Sequence, residues 1–207
     1  MEGILAIIFD FDGVVIDSMP LMTYSFIRYL KNYGIELKEE DMKKYYGWTG
    51  VNVIKDIFTM HGIKRNAEIA NEERKKIYVK NIEKVKVYPG FIEVIKKVKG
   101  KYKTALVTSS SSEIVELIMN IHNLNQLFDV IVTKDDVKKS KPDLEPYLLA
   151  IKKLAVEPNK CMVVEDTPIG IKSAKAAGTY CIAVTSSCAK EELNEADLIV
   201  DSVDKII

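Results

Sequence analysis

The chain opens with a continuous apolar run, Ile4 to Phe9, rich in β-branched residues and cut off by Asp10. Such a run reads as a strand buried on both faces, as in a parallel sheet with helices on either side. The period then changes. From Pro20 to about Tyr33, apolar residues fall at Leu21, Tyr24, Ile27, Tyr29 and Leu30, a helical spacing closed by Gly34. A short helix is predicted over Glu39 to Tyr45. After the loop Gly47-Trp48-Thr49-Gly50, a third runs from Val51 to Met60 and ends near Gly62. Residues 67–83 are charged, with a weaker helical stripe through Ile69, Ile77, Tyr78 and Ile82.

Tyr88-Pro89-Gly90 punctuates the chain, and strands and helices alternate beyond it. Helices are predicted over Phe91–Val98, Ser112–His122, Leu144–Leu154 and Ile169–Ala177. Strands are predicted over Thr104–Val107, Phe128–Val132, Cys161–Val164, Tyr180–Val184 and Leu198–Val200. Ser110-x-x-Glu113 fits a capping box for the second of these helices. The alternation implies an α/β fold, a doubly wound parallel sheet. An all-helical block interrupts it straight after the first strand. The expected division is a core of residues 1–16 and 86–207 with a lid of residues 17–85 over the carboxyl ends of the strands.

Composition narrows the class. The 207 residues are 47% hydrophobic and 29% charged, with 30 basic and 30 acidic side chains and no net charge. No basic patch stands out, which argues against nucleic acid or an anionic membrane as the main partner. Only Arg28, Arg65 and Arg74 are arginine, the residue that usually grips phosphate in a bidentate manner. Cys161, Cys181 and Cys188 are odd in number and form no C-x-x-C pair, so reduced core thiols and a cytoplasmic setting are expected. No signal peptide is legible, and no stretch approaches the roughly 20 apolar residues of a membrane span.

The chemistry lies at the strand ends. Ending a buried strand in Asp10-Phe11-Asp12-Gly13 is costly unless something neutralises the charge. Ligands of open α/β sheets sit outside the carboxyl ends of the strands. A hard cation would satisfy Asp10 and Asp12 through carboxylate or backbone oxygen; a polar Asp-Gly turn is the plainer alternative. Other strands end at Thr108 and at Glu165-Asp166, and Lys141 lies in a loop before a helix. The joint set suits a metal and a phosphate.

Four segments carry a family resemblance. Asp10-Phe11-Asp12-Gly13-Val14-Val15-Ile16-Asp17-Ser18 resembles the first motif of the haloacid dehalogenase superfamily, and Val107-Thr108-Ser109 the second. Ser140-Lys141-Pro142 resembles the third. Val164-Glu165-Asp166-Thr167-Pro168-Ile169-Gly170, running on to Gly178, resembles the fourth. The helical insert looks like the cap of the phosphoglycolate phosphatase and β-phosphoglucomutase branch. The resemblance implies phosphoryl transfer through an aspartyl-phosphate on Asp10. Mg²⁺ would be held by the Asp10 carboxylate, the Asp12 backbone carbonyl and Asp166, with Glu165 as a further ligand or behind a bound water. Asp12 would serve as general acid and then base. Thr108, the Ser109 backbone N–H and Lys141 would bind the phosphate, Asp17 would tie down the hinge, and Gly170 would permit close helix packing. The third motif departs from the common pattern, with Leu144 where a second proline is usual and Pro146 after it. That is expected to alter the start of the helix and not the position of Lys141.

The resemblance also bears on the substrate, a small phosphorylated metabolite. The cap histidine of β-phosphoglucomutase falls on Met22, and its arginine for a second phosphoryl group on Gly50. Loss of both favours hydrolysis of phosphoglycolate or sugar phosphates over a mutase. Trp48, Thr49, Lys80 and Lys84 stand where a cap could present them to substrate, whereas His61 and His122 read as structural. A C–halogen dehalogenase would need neither Asp12 nor a metal. A response-regulator receiver has the opposite order of acidic residues and no lid. A monomer is the simplest expectation, with a dimer as the alternative.

Overall fold

The computed structural model describes residues 3–207; Met1 and Glu2, the start of the expected core segment, lie outside them. The strands are β1 (Ala6–Phe9), β2 (Ile16–Asp17), β3 (Lys86–Val87), β4 (Lys103–Val107), β5 (Val130–Val132), β6 (Cys161–Glu165), β7 (Tyr180–Val184) and β8 (Leu198–Val200). Six of them form one parallel sheet in the order β5-β4-β1-β6-β7-β8. The apolar run at the start of the chain is its centre. Ile7 and Phe9 pack into the cluster on one face, and Ala6 and Ile8 into the cluster on the other. That is why this strand shows no alternation. Phe9 lies opposite Leu106 and Val164, so Asp10, Thr108 and the Glu165-Asp166 pair emerge along one edge.

The helices are α1 (Met19–Leu30), α2 (Glu39–Met42), α3 (Gly50–Met60), α4 (Ala67–Val79), α5 (Phe91–Val98), α6 (Ser112–Ile121), α7 (Glu145–Leu154) and α8 (Pro168–Ala176). The first four form the insert and enclose a cluster that includes Phe26, Leu30, Ile54, Ile57 and Phe58. Where the chain leaves and re-enters the core, Ile16 pairs with Val87 and Asp17 with Lys86 in a short antiparallel ribbon. Two residues per strand are too few to show a period, so the pattern of the sequence does not reveal this ribbon.

Three expectations need correction. The short helix expected to reach Tyr45 ends at Met42, and a 3₁₀ turn covers Lys43–Tyr45. The strand expected from Phe128 starts at Val130, because the Asp129 carboxylate accepts the Thr104 N–H at 2.7 Å. The stripe expected on α4 is wrong at Ile69, which is 57% exposed, whereas Tyr78 and Ile82 are buried; Ala67, Ala70, Asn71 and Arg74 complete the inward face. An inward face bearing an amide and a guanidinium gives no apolar signal.

Candidate active site

A cleft separates the insert from the carboxyl edge of the sheet. Asp10, Asp12, Ser109, Ser110, Lys141 and Asp166 line the core side.

Lys141 is the hub. Its ammonium donates to Asp10 Oδ1 at 2.5 Å, Glu165 Oε1 at 2.6 Å and the Val107 carbonyl at 3.3 Å. The loop that delivers it is pinned by Glu145, whose carboxylate accepts the Lys138 and Lys139 N–H groups at 2.9 and 3.0 Å. Pro146 sits in the first turn of α7, where a missing N–H costs nothing, and the reach of Lys141 is unaffected. Burial alone would lower the Lys141 ammonium, but Asp10 and Glu165 outweigh it and hold the group above its ordinary value. Lys141 is therefore a fixed positive charge.

Glu165 and Asp166 are neighbours with opposite surroundings. Glu165 Oε1 also accepts the Tyr147 hydroxyl at 2.7 Å. Its Oε2 accepts the Asp166 N–H at 3.0 Å, the Thr167 N–H at 3.3 Å and the Thr167 hydroxyl at 3.2 Å. Burial would raise this carboxyl, yet Lys141 and these donors hold it low. A Cβ at Gly170 would stand 1.8 Å from Glu165 Oε1, so the carboxylate lies in the space that only glycine leaves. Asp166 has none of this: both its oxygens are buried without a hydrogen-bond partner among the described residues. Burial pushes its carboxyl well up, and Glu165 and Asp10 add to the shift. A Cβ at Gly13 would stand 1.7 Å from Asp166 Oδ2, and Gly13 has φ +88°.

Asp10, Glu165 and Asp166 each bring an oxygen within 4.8 Å of the others. Three carboxylates against the one Lys141 ammonium leave two uncompensated negative charges. Burial likewise pushes the Asp10 carboxyl well up despite Lys141. Orphaned, buried, oxygen-only donors with a double negative charge fit a hard divalent cation. Of the expected metal residues, Asp10 and Asp166 keep oxygens free of hydrogen bonds among the described residues, whereas those of Glu165 are engaged.

The Asp12 side chain turns to a separate set of donors. It accepts the Ser18 hydroxyl, the Thr108 hydroxyl at 3.2 Å and the Ser110 hydroxyl at 2.9 Å. Thr108 Oγ1 in turn accepts the Ser110 N–H at 3.0 Å. Ser110 is thus a residue of the site, and the capping box expected with Glu113 does not form. The free Ser112 N–H at the start of α6 donates instead to Asp135 at 2.8 Å, a residue beyond β5 that local spacing does not reveal. Ser18 and Tyr147 are also unforeseen, since a motif serine and an apolar-face tyrosine carry no distinctive signal. Asp17 lies in the hinge ribbon.

On the insert side, Met22, Trp48, Gly50, Asn71, Arg74 and Tyr78 line the cleft. The other cap candidates do not. Thr49 Oγ1 caps α3 by accepting the Asn52 N–H at 3.4 Å. Lys80 and Lys84 are exposed, because α4 ends at Val79 and the chain turns outward. His61 and His122 bond backbone carbonyls, each at 2.9 Å, as structural residues do.

The model of the haloacid dehalogenase-like hydrolase family matches residues 7–184. Hexitol phosphatase A of Escherichia coli is 31% identical over 202 residues, covering 96% of this chain and 91% of that protein. A phosphorylated carbohydrates phosphatase of Thermotoga maritima is 35% identical, covering 84% and 81%. The crystal structure of a β-phosphoglucomutase from Clostridium difficile superposes with a TM-score of 0.89 at 25% identity, over 99% of this chain and 93% of that one. No described helix is long and apolar enough to cross a membrane.

Proposed function

The chain belongs to the haloacid dehalogenase-like hydrolase family and is a phosphoric monoester hydrolase; within that class we propose a Mg²⁺-dependent phosphatase of small phosphorylated metabolites that works through an aspartyl-phosphate on Asp10. The observation that carries this reading is the buried trio Asp10, Glu165 and Asp166, short of two positive charges, with Asp10 and Asp166 lining the cleft.

Residues 17–85 act as a cap over a core of 1–16 and 86–207. Asp10 attacks phosphorus with Oδ2, since Oδ1 is taken by Lys141. Lys141 holds Asp10 in position and neutralises the equatorial oxygens of the phosphoryl group. Thr108 and the Ser109 N–H bind those oxygens from the neighbouring strand end. Asp12 gives a proton to the leaving alkoxide and later takes one from water, the phosphoryl group passing from Asp10 to that water. Its hydroxyl partners hold the carboxyl in place across both steps. Asp10, the Asp12 backbone carbonyl and Asp166 would hold Mg²⁺, which when bound offsets the repulsion between a carboxylate and a phosphate dianion. Glu165 is a positioning residue for Lys141.

Hydrolysis is favoured over phosphoryl shift between two sites of a sugar, although β-phosphoglucomutase shares the fold. Met22 offers no proton-transfer group on the cap side of the cleft. Purified protein is expected to hydrolyse p-nitrophenyl phosphate only with Mg²⁺, and Asp10→Asn to be inactive. Turnover that ignores Mg²⁺, or an active Asp10→Asn, would overturn the reading. Conversion of β-glucose 1-phosphate to glucose 6-phosphate without phosphate release would establish a mutase instead.

A further inference from the structure

The cap wall of the cleft contains a charge that the protein leaves unpaired. Of the three arginines, Arg28 is exposed and Arg65 pairs with Glu73 at 2.6 Å. Arg74 is only 8% exposed and lines the cleft. Its Nε donates to Asn71 Oδ1 at 3.1 Å and one terminal nitrogen to Ser25 Oγ at 2.7 Å. Both acceptors are neutral, and among the described residues no carboxylate lies within ion-pair distance. The Phe26 ring, 4.4 Å from the guanidinium carbon, compensates in part. Burial pushes Arg74 down to about 10. A guanidinium has five N–H donors, so three are left without an acceptor among the described residues.

A second group on the same helix is also unsatisfied. Tyr78, one turn beyond Arg74, is 3% exposed, lines the cleft and has a buried hydroxyl without a partner. Burial raises its phenol, and Asp12 and Arg74 line the same cleft. Gly50 makes the arrangement possible. A Cβ there would stand 2.4 Å from Asn71 Oδ1 and 3.3 Å from Arg74 Nη2. A side chain at position 50 would displace the Asn71 amide that orients Arg74.

Buried donors without acceptors are costly unless a ligand completes them. We infer that Arg74 is a specificity-determining residue that receives a second anionic group of the substrate, with the Tyr78 hydroxyl donating to a neighbouring substrate oxygen. The substrate class is then a short phosphomonoester bearing a carboxylate or a second phosphoryl group, rather than a neutral polyol phosphate. This rests on the phosphatase reading of the same cleft.

The test compares two unreactive phosphonates of equal length with Mg²⁺ present, phosphonoacetate and ethylphosphonate, by calorimetry. A hydrogen-bonded charge pair predicts about 10- to 100-fold tighter binding of phosphonoacetate by the wild type. In Arg74→Gln the ratio is expected to fall to about threefold or less, and Arg74→Lys to restore part of it. A wild-type ratio near one, or one that survives in folded Arg74→Gln, overturns the inference. If Arg74→Gln does not fold, the wild-type ratio and Arg74→Lys decide. Turnover of p-nitrophenyl phosphate by the wild type reads the phosphatase assignment separately. Discrimination without turnover removes that assignment and keeps the anion receptor; turnover without discrimination removes the receptor alone.

Discussion

The two walls of the cleft treat charge differently. On the core wall, Lys141 holds Asp10 and Glu165 together in a dense network, and Asp166 beside them has no partner among the described residues. On the cap wall the charged group deepest in the fold, Arg74, has neutral partners only. The core wall is short of positive charge and the cap wall short of negative charge. A phosphorylated anion brought in with a divalent cation corrects both. Network members are fixed in advance for a reaction that is the same for every substrate, and the unsatisfied groups wait for what varies.

Removing the nucleophile is the harshest way to break this contrast. Asp10→Asn is expected to lower kcat on p-nitrophenyl phosphate by roughly 10³-fold or more without unfolding the protein; circular dichroism and steady-state rates check both halves. The Glu165 and Asp166 pair sharpens it. Glu165→Gln takes a charge partner from Lys141 and should cost about 2–3 kcal/mol of stability, seen as a Tm lower by about 4–12 °C. Asp166→Asn should hold or raise Tm in the presence of a chelator, because it removes a buried, unpartnered charge. It should also abolish stabilisation by Mg²⁺. If both substitutions shift Tm in the same direction, the two residues are not opposites.

The pH dependence of the metal effect follows from the same site. Burial holds Asp10 and Asp166 well above the ordinary carboxylate range when no cation is bound. An acid raised in the fold is ionised first in the unfolded chain. The metal-free protein therefore loses stability as pH rises from the ordinary carboxylate value towards the raised one. Mg²⁺ relieves that loss, so its Tm increment should be larger at about pH 8 than at about pH 5. At 100-fold excess over Kd the stabilisation is about 2.7 kcal/mol. An increment that shrinks as pH rises would contradict the charge deficit. The smallest expected effect is at Gly50. Gly50→Ala should lower discrimination for phosphonoacetate by about threefold through Asn71, with less than about 1 kcal/mol lost in stability.

Legibility in the sequence divides along the same line. The core was readable because its signals are local: buried strands without alternation, and chemical residues in the residue or two after each strand. Asp10, Asp12, Lys141 and Asp166 could be named from motifs a few residues long. The partners that fix them could not. Tyr147 reaches Glu165 from the apolar face of α7, and Asp135 caps α6 from beyond another strand. The helices of the cap are legible, but the inward face of α4 is not, for a physical reason. Amphipathic helices are recognised by their apolar face, and α4 turns Asn71 and Arg74 inward while Ile69 faces solvent. Gly50, taken as the loss of an anion-binding side chain, is the space into which Arg74 and Asn71 fit.

Everything proposed for the core wall turns on Asp10 being the residue phosphorylated. Wild-type protein turning over p-nitrophenyl phosphate with Mg²⁺ can be quenched in acid, digested and examined by mass spectrometry. A phosphoryl group on the Asp10 carboxyl, absent from Asp10→Asn, is the predicted result. Steady turnover with no phosphoryl group at Asp10, together with an Asp10→Asn variant as active as wild type, would contradict it.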